Sequence, residues 1–175
     1  MPRLPDDRRT RQLRLRPPVD VDLDALVRMN SDPVVMKTLG GVRSEATTGA
    51  MFQLWLEHWR QYGFGYWVAQ ERESGRFAGR GGLRRVEVDG CDEVEIGYAF
   101  EKELWGRGLA TELARESVLV GFEELGLDEL VCFTLPHNRA SRRVMEKTGF
   151  EYERDFEHAG LPHVLYRLAR SRWRS

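Results

Sequence analysis

No stretch of this sequence is long and apolar enough to cross a bilayer as a helix. Its first sixteen residues, MPRLPDDRRTRQLRLR, contain no apolar segment of the kind a secretory leader needs. The expectation is a cytoplasmic chain with no membrane partner. Cysteine is scarce: the two present, Cys91 and Cys132, show neither metal-ligand spacing nor a disulfide framework, so both are expected as free thiols. The histidines at 58, 137, 158 and 163 have no ligand spacing either, and no metal is expected. Charge of one sign is also lacking, because 27 basic and 28 acidic residues leave a formal net charge of -1. No summed positive field is available to hold nucleic acid, which excludes it as an expected partner. Repeats, low-complexity tracts and internal linkers are absent.

What is there is enough for one core. A chain of 175 residues with 41% hydrophobic content is read as a single domain over 1–175, with residues 1–11 as a loose, charged leader. LRLRP at 13–17 alternates as a strand does, and Asp20 or Asp22 could cap a helix running to Asn30. From Ser44 to Tyr62, Met51, Leu54, Trp55 and Trp59 recur at helical intervals, and Gly63 and Gly65 break the pattern. GYWVAQER, FAGRGGLRRVEV and DEVEIGYAF, separated by Ser74-Gly75 and Asp89-Gly90 turns, read as an antiparallel meander. A helix from Ala110 to Leu125, the strand LVCFTLP at 130–136, a short helix at 139–148 capped by Gly149, and strands near 150–157 and 164–168 follow. The sum is an α+β domain with a mixed, mostly antiparallel sheet of about seven strands and about four helices.

The densest signal lies between Asp92 and Thr111, where a strand pattern runs through glycines into a helix. Gly106 and Gly108 allow a sharp turn that gathers main-chain N–H groups of Gly106, Arg107, Gly108, Leu109, Ala110 and Thr111 at the positive end of that helix, a cradle for a pyrophosphate. The Arg107 side chain could add charge. A P-loop would need Lys-Ser/Thr after the second glycine, where Leu109-Ala110 stand, and a dinucleotide fold would need a third glycine at 111, where Thr stands. A tight strand-to-helix connection that binds nothing explains the glycines equally well.

Three linked segments decide between those readings: the strand EIGYAF, the turn WGRGLAT and the downstream LPHNRASRRVMEKTGF. Together they resemble the GNAT superfamily of acetyl-CoA-dependent N-acetyltransferases, and within it the branch of ribosomal-protein N-terminal acetyltransferases. Trp105 departs from the Q/R that usually opens the turn, although W-G-x-G-x-A-T-E is familiar in that branch. The resemblance implies a GNAT fold whose sheet splays in the middle, between the strand ending at Phe100 and the one starting near Leu130. It implies acetyl-CoA as cosubstrate, with main-chain groups of Tyr98, Ala99 and Phe100 pairing with the pantetheine arm. It also implies Asn138 near that arm, Ser141 as a group that hydrogen-bonds or protonates the leaving thiolate, and Arg143 within reach of a coenzyme phosphate. Helix capping by Asn138, with Ser141 in the first turn, accounts for the same two residue types without a ligand. The basic face formed by Arg142, Arg143 and Lys147 is most often simply solvated.

Acetyl transfer needs a neutral amine, so a group must take its proton. Glu95 is the first candidate: with Glu93, Gly97 and Ala99 it shares one strand face, while Val94, Ile96, Tyr98 and Phe100 share the other. Cross-strand ion pairs of Glu93 or Glu95 with Arg84 or Arg85 are the competing explanation. His137 and Tyr152 stand in reserve, and His58, His158 and His163 read as packing or surface residues. Trp55, Trp59 and Trp67 are walls of an acceptor pocket or, singly, core. The expected reaction is acetyl transfer from acetyl-CoA to a primary amine, a protein N-terminus or a small molecule, by direct attack in a ternary complex. The alternative is a non-catalytic acyl-CoA-binding sensor module. A homodimer is compatible with the sequence.

Overall fold

The computed structural model describes residues 7–173. Eight strands form one sheet in the order β1-β2-β3-β4-β5-β6-β8-β7. They are β1 Arg8–Arg9, β2 Leu13–Arg16, β3 Tyr66–Glu71, β4 Phe77–Val88, β5 Cys91–Phe100, β6 Glu129–Thr134, β7 Glu151–His158 and β8 Leu161–Ala169. The helices are α1 Leu23–Ser31, α2 Pro33–Met36, α3 Glu45–Tyr62, α4 Leu109–Leu119 and α5 Arg139–Lys147. The seven strands and four helices expected from periodicity are all present, and the additions are β1 and α2.

Both additions are too short to carry a period. The Arg8–Arg9 strand pairs with β2, and Arg8 is held by Glu116 at 2.8 Å and Glu124 at 2.7 and 3.0 Å, so order extends into the expected loose leader. Residues 1–6 of that leader lie outside the described residues. In α2, Pro33 stands at the first position and the Asp32 carboxylate accepts from Val34 N at 2.8 Å.

Local chemistry elsewhere follows the residue types. Asp89 and Gly90 adopt φ of 48° and 81°, which joins β4 to β5 through a tight hairpin turn with the twist such strands prefer. Ser44 Oγ accepts from Thr47 N at 3.1 Å to start α3, and Gly63 ends it at φ 72°. Neither aspartate caps α1 with its side chain. Asp22 instead accepts from Arg16 at 2.7 and 2.8 Å and from Val19 N at 2.8 Å, because a part-buried guanidinium competes for its oxygens. After α4 the chain widens into a π-type turn at Val120–Glu124, so the single helix expected to Leu125 changes its winding before Gly126 closes it at φ 65°.

Each face of the sheet has its own core. On one, α4 and α5 cover Leu13, Leu15, Trp67, Leu83, Ile96, Phe100 and Tyr166, with Leu113 and Phe122 packed in. On the other, α1 to α3 cover Tyr66 and Ala99 with Leu26, Met29, Met36, Phe52 and Trp55. The alternation along β5 is the one its sequence predicts: Val94, Ile96 and Phe100 join the first core, and Ala99 joins the second. The sheet is antiparallel throughout except where β5 meets β6 in parallel, and there a single ladder pair, Glu95↔Val131, holds the strands before they part. That parting is the expected splay. Among the described residues no helix is long and apolar enough to cross a membrane.

Candidate active site

Past Glu95↔Val131 the Ile96 carbonyl accepts from the Cys132 thiol at 3.0 Å instead of from a β6 amide. By the alternation of an extended strand, Tyr98 turns its N–H and C=O to the same open side. Ala99 turns its own toward Arg80 on β4, which removes it as a pairing partner for a ligand lying in the gap. Phe100 faces the gap, and its carbonyl accepts from Trp105 Nε1 at 2.9 Å. Trp105, the departure from the usual turn motif, thus anchors the start of the turn.

Gly106 and Gly108 both adopt φ 78°. A Cβ at either would meet nothing within 4 Å, so the backbone conformation, not crowding, calls for glycine there. Gly108 occupies the N-cap of α4 with no side-chain cap, and the first helical bond to its carbonyl comes from Glu112 N at 3.0 Å. The N–H groups of Leu109, Ala110 and Thr111 therefore lack intrahelical acceptors and point at one spot. Glu112 does not spoil this positive end, because its carboxylate is turned away onto Thr10 Oγ1, Gln12 N and Gln12 Nε2. The loop has the donors a pyrophosphate needs. The Arg107 side chain is engaged elsewhere, with Glu71 Oε1 at 2.7 Å, and Arg143 is exposed on α5.

Across the gap, α5 supplies Ser141. Its Oγ lies 3.0 Å from the Tyr98 hydroxyl, which also donates to the Ser141 carbonyl at 3.2 Å, and burial pushes the Tyr98 phenol up. Asn138 makes its helix cap: Oδ1 accepts from Ser141 N at 3.2 Å, and Nδ2 donates to Thr134 Oγ1 at 2.9 Å. The cap spends the Asn138 amide on protein. Burial, with the nearby Glu95 charge, also pushes the Cys132 thiol up, and Cys132 therefore remains a thiol at neutral pH.

Glu95 projects from the opposite face of β5 and is only 4% exposed. Its Oε1 accepts from Tyr66 Oη at 2.5 Å, Arg84 Nη2 at 2.6 Å and Arg84 Nε at 3.0 Å. The cross-strand pair with Arg84 is made, and it leaves Oε2 without a protein partner among the described residues. Glu93 instead meets Arg167 at 2.8 Å, because its β4 neighbour is Val86. The Tyr66 ring reaches Glu95 only because residue 97 is glycine, where a Cβ would come within 2.0 Å of the hydroxyl. Two rings flank the buried Arg80 guanidinium, Trp55 at 5.4 Å and Tyr66 at 5.1 Å. The sequence reading missed Tyr66 and Arg80; a glycine inside an otherwise β-forming strand was the available sign.

The remaining candidates fall away from this centre. Trp67 packs on the opposite face with Leu113, so it walls no acceptor pocket there. Trp59 donates to the Tyr66 carbonyl at 2.8 Å. His58 locks α3 to the sheet, with Nδ1 on the Phe64 carbonyl at 2.8 Å and Nε2 accepting from Arg85 N at 3.0 Å. His137 is exposed, and Tyr152 donates to Asp155. His158 and His163 pack with Phe133 and Phe156 on the sheet face that carries Val131 and Leu165. No group of acidic, histidine or cysteine side chains among the described residues could hold a metal. A cleft of about 410 Å³ lies between α1 and the segment after β5, lined by Arg28, Met29, Phe77, Lys102 and Leu104, and contains none of the candidate residues.

Known proteins share this fold. Residues 12–151 match the family described as acetyltransferase (GNAT) domain. A Bacillus subtilis protein, YkkB, is 30% identical over 158 residues, 90% of this chain and 92% of its own. The crystal structure of an acetyltransferase from Agrobacterium tumefaciens superposes with a TM-score of 0.83 at 27% identity, covering 95% of each chain. RimL, a ribosomal L7/L12 α-N-protein acetyltransferase solved in complex with coenzyme A, has the same fold, with a TM-score of 0.74 at 17% identity over 91% of this chain and 95% of that one. A chain with this sheet, this uncapped glycine turn and these matches belongs to the GNAT acetyltransferase family and is an acetyl-CoA-dependent N-acetyltransferase.

Proposed function

We propose that the protein moves an acetyl group from acetyl-CoA to a primary amine by direct attack within a ternary complex. The observation that carries this is the parting of β5 and β6 after one ladder pair, which leaves an open strand edge leading into an uncapped helix terminus. A pantetheine arm is an extended amide chain and fits such an edge as an added strand would, on the main chain of Tyr98 and Phe100. The N–H groups from Gly106 to Thr111 would hold the pyrophosphate, with Arg143 and a released Arg107 available to the outer phosphates. Asn138 would act by holding Ser141 at the head of α5, on the far side of the gap.

The chemistry then divides between the two faces of β5. The amine nitrogen bonds to the acetyl carbon as the carbon–sulfur bond breaks, and the amine proton passes to Glu95 Oε2, directly or through water. Tyr66 and Arg84 fix the orientation of that carboxylate through its other oxygen. The Tyr98 N–H would polarise the thioester carbonyl, and Ser141, hydrogen-bonded to Tyr98, would hydrogen-bond the departing thiolate, which takes its proton from solvent. Holding both reactants in line supplies much of the acceleration.

Free thiol release from acetyl-CoA, followed across amino acids, peptides and polyamines, tests this reading. Turnover on some acceptor with unchanged coenzyme binding in Glu95→Gln is expected. Coenzyme binding with no turnover on any acceptor would make the chain a sensor of acyl-CoA, and no coenzyme binding would remove both readings.

A further inference from the structure

Arg80 has no role in the steps above, and its surroundings are unusual for a charged side chain. It is 8% exposed, yet makes no ion pair and no side-chain hydrogen bond among the described residues, and its Nε is buried without a partner. Burying a guanidinium unpaired is unfavourable. The rings of Trp55 and Tyr66 lie against it and recover part of the loss. The ring contacts give its N–H groups no oxygen acceptor, and they leave unspent the donor fork that matches a carboxylate.

A second guanidinium, half-buried, also keeps part of its donor set unspent. Arg43, in the segment between α2 and α3, donates to the Leu39 carbonyl through one terminal nitrogen, while its Nη1 is buried without a partner. It lies close enough to Arg80 and Arg84 for like charges to act between them. Arg84 is matched by Glu95, which leaves two cations unmatched beside the candidate base. Asn30, 1% exposed, donates to Thr48 Oγ1 at 3.3 Å and keeps Oδ1 unpartnered in the same wall. A polyamine or aminoglycoside would meet net positive charge here and be disfavoured.

We infer that the acceptor is a small amine that carries its own carboxylate, an amino acid or a close relative, whose anionic end enters the Arg80 and Arg43 fork while its amine lies at Glu95. This rests on the acetyl-transfer reading and narrows it. A buried fork suits a short ligand, whereas a protein N-terminus would present neutral amides at that depth.

The experiment compares kcat/KM for a set of amino acids, their C-terminal amides, and peptides that begin with the same residues, in wild type, Arg80→Gln and Arg80→Lys. Free carboxylates are expected to exceed the matching amides by about 100-fold, a ratio that Arg80→Gln abolishes and Arg80→Lys partly restores. Coenzyme binding should be unchanged and the thermal melt of Arg80→Gln should not fall, which separates a specificity defect from a folding one. Calorimetry with N-acetyl amino acids supplies an arm independent of turnover, with binding in wild type and loss in Arg80→Gln. Equal rates for amide and carboxylate, or peptides preferred over free amino acids, would overturn the inference while leaving acetyl transfer standing. No turnover on any acceptor would remove the acetyl-transfer reading and the acceptor assignment with it, even if the calorimetry still placed a carboxylate at Arg80.

Discussion

Residue 95 shows how a buried ion pair can leave half of a carboxylate open for the proposed chemistry. The Arg84 pair and the Tyr66 hydroxyl converge on a single carboxylate oxygen, so the other is held in place without being occupied. Replacing Glu95 with Gln should lower kcat by about 100-fold with little change in coenzyme affinity; an unaltered kcat would assign the base elsewhere. Tyr66→Phe removes one positioning donor and should cost about tenfold in kcat/KM. Its partner test is Gly97→Ala, which must push the phenol aside and should reproduce the Tyr66→Phe defect rather than add to it in the double variant. His58 makes a different prediction. Burial lowers its pKa from 6.5, Arg84 and Arg85 reinforcing this and the Phe64 carbonyl opposing it. Because the folded value is depressed, its contribution to stability is complete above pH 6.5 and is lost as pH falls below it. Urea unfolding at pH 7.5 and pH 5 should therefore show a smaller acid loss in His58→Gln than in wild type. His158 shifts in the same direction, so the difference between the two proteins is the readout, and identical losses would exclude His58.

At the scale of elements, the pieces with a period were legible and the pieces without one were not. The β5 alternation, the α3 start at Ser44 and the Asp89-Gly90 hairpin all follow from residue types that admit few other conformations. Either Asp20 or Asp22 reads as a cap, because nothing in the neighbourhood announces that Arg16 will be folded back beside Asp22. The glycine turn was legible as a turn, and the uncapped N-terminus behind it follows from Gly108 having no side chain to offer. Substituting Gly108 with Ala requires a left-handed conformation at a strain of about 1 kcal/mol. Its expected signature is a weaker coenzyme Kd, by about tenfold, with a far smaller effect on acceptor KM. A variant that binds coenzyme as well as wild type would show that the turn's shape is immaterial.

For the whole molecule, long-range placement was the part the sequence withheld. Tyr66 and Glu95 are 29 residues apart and Tyr98 and Ser141 are 43 apart, so their meetings depend on sheet order and register, which no local pattern encodes. Arg8 ties the N-terminal strand to α4 and its π-type extension from more than a hundred residues away. Arg8→Ala leaves Glu116 and Glu124 without their shared partner and should lower stability by about 1.5 kcal/mol in urea titration; a change below about 0.3 kcal/mol would mean that the pairing is solvated and idle.

The forked sheet has a consequence for how this chain could be altered. With only one pair bridging β5 and β6, the protein forgoes hydrogen bonds that a continuous sheet would make, and under the proposed binding mode a ligand lying in the fork would complete them. Substitutions that zip the fork shut would yield a hardier protein and a worse catalyst, so selection for heat resistance alone should drive variants toward inactivity.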